Sequence, residues 1–150
     1  EPSLRVARFQ PILQPKIPAF AIEQREFTRR FRVACRYFVL EEIDVRERFE
    51  SATAGKFHIL AAIRGGFEIA YGTRLESRVE IGQGETVVLP ARLGAFALTP
   101  RIAPAKFLRM YAPDLRADII QPLAKTGIPP SEIARLGGSI PETNDLAALI

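Results

Sequence analysis

The chain has very few of the side chains that bind metals or form cross-links: one histidine, His58, and one cysteine, Cys35, in 150 residues. A single cysteine cannot form an internal disulfide, and an unpaired thiol is typical of a reducing compartment, so the sequence predicts a cytoplasmic protein. A zinc site needs at least three protein ligands, which one histidine does not supply. We therefore expect no metal and no cofactor in this chain, and we assign no catalytic, cofactor-binding or metal-ligating residue.

Long apolar runs are also missing. No stretch approaches the roughly 18 apolar residues that would cross a bilayer, and no apolar run follows a basic start as in a signal peptide. We therefore expect neither a membrane partner nor a secretion signal. The chain does not begin with methionine, and its one methionine is Met110. We expect Glu1 to be an end made by processing or cloning, or a cut from a longer protein.

The basic residues are numerous but dispersed. The formal net charge is +4 at pH 7, and arginine dominates the basic side. The one dense basic run contains Arg29, Arg30, Arg32 and Arg36, while the other arginines are interleaved with glutamates. A nucleic-acid surface would gather its charge on one face or along one helix. We therefore expect solvated surface here, and we do not expect nucleic acid as a partner.

For several residues of chemically reactive types, the sequence favours a structural role over a catalytic or metal-binding one. Cys35 lies in the apolar segment 33–38 and is expected to be a buried, inert thiol. His58 lies on a predicted strand and is favoured as a core or surface histidine with satisfied hydrogen bonds over a metal ligand. Glu41 and Glu42 are adjacent on a predicted strand, and adjacent strand residues face opposite sides. The two glutamates therefore cannot act on one substrate as a carboxylate pair.

Two further features are candidates for contact with an anion. The turn Gly82-Gln83-Gly84 would present backbone amides to a phosphate, but neither a helix nor a lysine follows it, so a plain turn is predicted. Arg64 and Arg74 flank a predicted hairpin and are candidates for contact with an anion, but no known motif spacing supports that contact.

From residue 31 to about residue 110, short β-rich runs alternate with glycine and proline. This spacing predicts an antiparallel sandwich or a closed barrel. The expected strands are 37–45, 57–64, 67–71, 78–81, 85–89, 95–99 and 106–111. Gly65 and Gly66 are expected to form a hairpin turn, because paired glycines accept positive φ at both positions. Val87, Val88 and Leu89 are all expected to be buried.

The composition divides the chain into three parts. Residues 1–27 are predicted to be an extended connector, residues 28–112 the barrel, and residues 113–150 a tail of short helices. The prolines that exclude a regular central strand or helix in the connector are Pro2, Pro11, Pro15 and Pro18, and the side chains expected to dock it are Phe9, Ile12, Phe20 and Ile22. In the tail, Pro122 is expected to end or offset a first helix, Ser131 to cap a second, and Asn144 to cap a last turn.

Three segments, in order along the chain, resemble the C-terminal cupin domain of type I mannose-6-phosphate isomerases. Residues 35–40, CRYFVL, are similar to the family's first barrel strand with its Tyr-Phe pair. Residues 57–66 are similar to the strand and turn that follow. Residues 82–94 are similar to a glycine turn, a strand and its exit at Leu89-Pro90-Ala91, followed by Gly94. The spacing agrees over roughly residues 28–111, whereas the tail departs from the shorter family members.

The resemblance implies an all-β fold: a cupin-type jelly-roll β-barrel with an extended Pro-rich N-terminal connector. The short C-terminal helices are expected from the residues of the tail and not from the resemblance. It implies a parent aldose–ketose isomerase that interconverts mannose 6-phosphate and fructose 6-phosphate, with zinc in a preceding cupin domain. Where a second cupin motif would supply histidine, after Gly94, this chain has Ala95 and Phe96. We therefore expect a non-catalytic C-terminal barrel. Its expected partner is the preceding catalytic domain, and it meets sugar phosphate only through the parent.

A second hypothesis from another class stays open. The chain is then a stand-alone, metal-free cupin that binds a sugar or sugar phosphate, including the case of a regulator whose tail resembles a helix-turn-helix. The resemblance to a helix-turn-helix lies in residues 122–136, with Gly127 at the turn and Ile133, Ala134 and Arg135 on the second helix. Gly137 would end that helix after about two turns, which is short for a recognition helix in the major groove. The sequence leaves open whether the barrel holds a ligand and what its oligomeric state is.

Overall fold

The computed structural model describes residues 19–138 and 140–150, and within these ranges the chain forms ten strands and several short helices. The strands are β1 Phe20–Glu23, β2 Phe27–Ala34, β3 Val39–Val45, β4 Phe49–Ala52, β5 His58–Arg64, β6 Phe67–Tyr71, β7 Ser77–Ile81, β8 Thr86–Leu89, β9 Ala95–Pro100 and β10 Ala105–Tyr111. Antiparallel pairing arranges them in a six-stranded sheet, β1-β2-β3-β10-β5-β8, and a four-stranded sheet, β4-β9-β6-β7. The predicted all-β class is confirmed.

Alternation of side chains decides which face of each strand points to the interior. Every second residue is buried along β3 and β10 and over most of β5. These inward residues are Val39, Glu41, Ile43 and Val45 of β3; Ala105, Phe107, Arg109 and Tyr111 of β10; and His58, Leu60 and Ala62 of β5. Over most of β5, the side that carries His58 is therefore the inward one.

The buried apolar side chains form two clusters. The first fills the space between the sheets and includes Ile43, Val45, Phe49, Leu60, Phe67, Ile69, Phe96, Leu98 and Phe107. The second, called the tail cluster, contains Phe31, Ala34, Val39 and Tyr111 from the strands and Leu115, Ile119, Leu123, Ile133, Leu136 and Leu146 from the tail. The tail therefore packs on one end of the barrel and shares a core with it.

The tail begins with a π-helical segment, Leu115–Ile120, that continues into helix α1, Gln121–Lys125. The Asp114 carboxylate caps this segment by accepting from the amides of Arg116 and Ala117, both at 3.0 Å. Pro122 lies in the first turn of α1, directly after the change from π-helix to α-helix. The predicted offset at Pro122 therefore takes the form of a change of helix type.

Two capping predictions for the tail have opposite outcomes. Ser131 is not a cap: helix α2, Pro130–Ala134, follows Pro129, already contains Ser131 and has no side-chain cap. Proline at the first helical position sets φ for the helix, which explains the earlier start. Asn144 is a cap as predicted, because its side-chain oxygen accepts from the amides of Leu146 and Ala147, both at 3.0 Å.

The predicted hairpin at Gly65 and Gly66 is wrong. β5 pairs with β10 and β8, whereas β6 pairs with β9 and β7, so the two glycines carry the chain from one sheet to the other. Gly65 has a φ of 68°. A Cβ on Gly66 would lie 2.7 Å from the Ile81 carbonyl oxygen. Glycine is therefore needed where the chain crosses between the two sheets. The local sequence of such a crossing is the same as that of a hairpin turn, so it does not distinguish the two.

The predicted burial of Val88 is also wrong, since 58% of the residue is exposed. Val87 and Leu89 pair with Leu60 and His58 on the inward side, while Val88 pairs with Ile59 on the outward side. β8 is the edge strand of its sheet, so this outward side is open.

Only the end of the predicted connector falls within the described residues. Phe20–Glu23 forms β1, which pairs with β2, and Phe20 and Ile22 pack against the tail cluster. Phe9, Ile12 and the four prolines before residue 19 lie outside the described residues. The boundaries at residues 27 and 112 stay predictions. In the described part of the chain, no helix has both the length and the apolar character of a membrane span.

Candidate functional site

A group of polar side chains lies inside the barrel, between the two apolar clusters. Glu41 of β3 has an exposed fraction of 0%, and Arg109 of β10 lies directly opposite it in the register. Arg29 of β2 and Tyr111 of β10 approach the same carboxylate. These four residues, here called the polar layer, meet at the inward side of strands β2, β3 and β10.

Both oxygens of Glu41 are engaged. Oε2 accepts from Arg109 Nε at 2.7 Å and lies 2.6 Å from Arg109 Nη2. Oε1 accepts from the Tyr111 hydroxyl at 3.0 Å and from Arg29 Nη2. Arg29 Nη2 also lies 3.0 Å from the Tyr111 oxygen. A carboxylate bonded in this way has no lone pair directed at a substrate, so Glu41 does not serve as a general base.

The charges of the polar layer fix its protonation. Burial alone would raise the pKa of Glu41, but Arg109 and Arg29 hold that pKa below its usual value. Burial alone would lower the pKa of Arg29, and the charge of Glu41 raises it instead. Burial, followed by the charge of Glu41, raises the pKa of the Tyr111 hydroxyl. Near neutral pH the layer therefore contains an ionised carboxylate, two guanidinium ions and a neutral phenol.

His58 lies beside the polar layer on β5 and is 4% exposed. Its ring packs on Tyr111, with centroids 4.8 Å apart, and meets Phe96 edge-on at 6.4 Å. Burial, and next the charge of Arg109, lowers the pKa of His58 to about 4. His58 is therefore a core histidine, neutral at pH 7. Its Nδ1, however, is buried without a hydrogen-bond partner among the described residues.

A cavity of about 230 Å³ opens between the polar layer and the tail. Arg29, Arg109 and His58 line its barrel side, and Lys56 lies in the loop after β4. Asp118, from the π-helical segment, lines the tail side and forms an ion pair with Lys56. The cavity exists because the tail covers the end of the barrel, so residues far apart in sequence share its walls.

Zinc does not fit this set of side chains. Within residues 19–138 and 140–150, no group of three or more His, Cys, Asp or Glu side chains is arranged to hold a metal ion. His58 is the one histidine in the sequence, and the nearby Glu41 has both oxygens bonded to cations and a phenol. At the place where a second cupin motif would supply histidine, Phe96 is buried in the first apolar cluster.

The structure separates the two glutamates that are adjacent in sequence, as predicted. Glu41 points inward, and Glu42 lies on the opposite face with Arg32 and Lys106. The prediction of solvated surface is wrong for Arg29, whose side chain is 19% exposed and bonded to Glu41. The alternation of β3 and β10 carried a usable signal for the polar layer: one charged residue stands among apolar ones on each inward face.

The other candidate residues lie elsewhere. Cys35 is half-buried in the turn before β3, where its amide donates to the Phe38 carbonyl at 2.9 Å. Arg64 faces Asp44 at 3.6 Å. In the turn at residues 82–84, the Gly82 amide donates to the Glu85 carboxylate and the Gly84 amide donates to the Ala62 carbonyl. Two of the amides that a phosphate would need are thus already donating to other groups of the protein.

The tail does not present a free helix-turn-helix. Helices α1 and α2 have five residues each, and their Leu123 and Ile133 are fully buried in the tail cluster. A recognition helix places its side chains in the major groove, whereas these helices are short and turn their apolar side chains to the barrel.

Comparison with solved structures identifies the fold. The mannose 6-phosphate isomerase from Bacillus subtilis is 19% identical over 71% of this chain, with a TM-score of 0.60. The cupin domain of Cnp3 from Schizosaccharomyces pombe is 9% identical over 77% of this chain and 78% of its own, at a TM-score of 0.52. Ectoine synthase from P. lautus is 14% identical over 62% of this chain and 68% of its own, at 0.54.

These likenesses establish a cupin jelly roll, as predicted, and at such identities they concern the fold alone. The chain spans about a third of the isomerase's length, since the alignment covers 32% of that protein. No protein-family model matches the sequence, and no curated protein matches it.

Proposed function

We propose that this chain is the non-catalytic C-terminal barrel of a mannose-6-phosphate isomerase-like protein of the cytoplasm. Its role is to pack against a preceding domain that holds zinc and carries out the interconversion of mannose 6-phosphate and fructose 6-phosphate. Three ordered sequence segments and the shared fold with the Bacillus subtilis enzyme support this proposal.

The polar layer is the observation that carries the non-catalytic part of the proposal. Moving a proton between adjacent carbons requires a base with a free lone pair beside the substrate. Glu41 is fully buried, and both of its oxygens accept hydrogen bonds from Arg29, Arg109 and Tyr111. The one inward carboxylate of this barrel is therefore fully bonded, and its contacts join strands β2, β3 and β10.

The outward face of β5 and β8 supports a role in packing against another domain. Phe57, Ile63 and Val88 are exposed by 50%, 43% and 58%, respectively. Val88 stands directly beside Ile59 across the two strands. Contiguous exposed apolar side chains are typical of a surface that another protein surface covers, and we assign this face to the preceding domain.

The coding sequence upstream of Glu1 tests this proposal. We expect it to encode, in frame, a cupin domain with the histidines and glutamate of a zinc site, because the chemistry must lie outside this barrel. A start codon immediately before Glu1 would overturn the proposal.

The stand-alone cupin that binds a sugar or sugar phosphate is the second candidate, and the cavity beside the polar layer is the observation that favours it.

A further inference from the structure

The cavity has the charge and the free donors of an anion site. Three cationic side chains, Arg29, Lys56 and Arg109, meet two carboxylates, Glu41 and Asp118, and His58 is neutral at pH 7. One positive charge is left in excess in a mostly buried place. An uncompensated charge is costly away from water, so this site favours a bound negative group.

Both arginines keep donors for such a group. A guanidinium has five N–H donors, and Glu41 and Tyr111 contact Arg29 through Nη2 alone and Arg109 through Nε and Nη2. Among the described residues, the Nη1 atoms of both arginines have no hydrogen-bond partner. They are also absent from the buried unpartnered atoms, which are Arg29 Nε and His58 Nδ1. These Nη1 groups therefore keep some accessible surface, and both residues line the cavity.

The remaining walls limit what can enter. Lys56 is held at the cavity by Asp118, which also accepts from the Asp114 amide at 2.7 Å. The charge of Asp118 is thus neutralised within the wall. A volume of about 230 Å³ is smaller than the roughly 300–1,000 Å³ of pockets for drug-sized ligands. The space suits an oxyanion attached to a body of a few atoms.

We propose that this cavity binds the oxyanion of a small molecule, a phosphate or a carboxylate, through Arg29, Arg109 and Lys56. Guanidinium groups pair well with both kinds of anion, because their donors match two oxygens at once. The inference goes beyond the structural role proposed above and holds whether the barrel is one domain of an isomerase-like protein or stands alone.

His58 gives this proposal a direct readout. It is the one histidine in the sequence, so its imidazole protons are the only ones of their kind in an NMR spectrum. The charged groups that act on it are Arg109, Glu41, Lys56 and Asp118. A negative charge added to the cavity favours the imidazolium form, so a bound oxyanion raises the pKa of His58 from about 4.

The experiment follows the His58 signals of the full chain during titration with inorganic phosphate, glycerol phosphate, acetate and malonate, at an ionic strength held constant with sodium chloride. We expect a saturable change with phosphates, with carboxylates or with both, and the pattern identifies the source of the oxyanion. Lys56→Gln is expected to weaken the response by about tenfold. Lys56→Arg, which keeps the charge, restores it.

The matched control is Lys125→Gln, which removes the same charge from an exposed position of α1 and should leave the titration unchanged. Circular dichroism of each variant confirms that it is folded. The proposal is overturned if none of the four anions gives a saturable change, or if Lys56→Gln responds as the unaltered chain does. Neither result bears on the coding sequence upstream of Glu1, so the two proposals fail separately.

Discussion

Replacing Glu41 by glutamine is expected to lower the free energy of unfolding by about 3–5 kcal/mol, the cost typical of breaking a buried ion pair by removing one partner. The change keeps the size of the side chain but removes its charge. It leaves Arg29 and Arg109, which both bond to this carboxylate, as two like charges at the centre of the six-stranded sheet. Denaturant unfolding measured by circular dichroism gives the value directly.

Glu42→Gln is the matched control, since it makes the same change at the next residue on the opposite face. Glu42 contacts Arg32 and Lys106, whose side chains are 42% and 25% exposed. Water reaches these partners, so the expected loss is about 1 kcal/mol or less. Equal losses for the two variants would mean that Glu41 is not the centre of a buried ion-pair cluster.

Leu123→Ala is expected to cost about 2–5 kcal/mol, because a fully buried leucine leaves both lost contacts and a cavity. Leu123 lies in α1 of the tail and packs in the same cluster as Phe31 and Val39 of the barrel. If the tail and barrel form one core, the whole unfolding transition shifts to lower denaturant as a single step.

Ile150→Ala is the control within the same tail, where the residue is 49% exposed; its expected loss is within about 0.5 kcal/mol. A tail that acts as an independent helix-turn-helix would give another result. Leu123→Ala would then leave the barrel's transition in place, and this outcome would mean that the tail does not share a core with the barrel.

The sequence predicts much of the barrel, because strand signals are local. Alternation and glycine or proline punctuation placed most strands within a few residues of their observed bounds, and the Asn144 cap follows from the same kind of short-range chemistry. The hairpin at Gly65 and Gly66 shows the limit. A pair of glycines permits a tight turn, but which strands pair across it depends on partners 25 to 51 residues away.

The candidate site was harder to predict for the same reason. Arg29 belongs by sequence to a run of four arginines, and only the register of β2, β3 and β10 turns this one toward Glu41. The cavity depends in addition on Asp118, which comes from the tail and meets Lys56 across 62 positions of sequence. No local pattern connects those two residues, whereas the inward Glu41 and Arg109 were visible in the alternation of their strands.

We propose that this barrel does not itself carry out the isomerase chemistry. The most direct measurement incubates the full chain with zinc and mannose 6-phosphate and follows the formation of fructose 6-phosphate. We predict no product above a protein-free blank, because Glu41 is fully engaged by Arg29, Arg109 and Tyr111, and no group of three or more His, Cys, Asp or Glu side chains among the described residues is arranged to hold zinc. Zinc-dependent turnover that is lost in both Glu41→Gln and His58→Gln, with each variant folded, would contradict the claim.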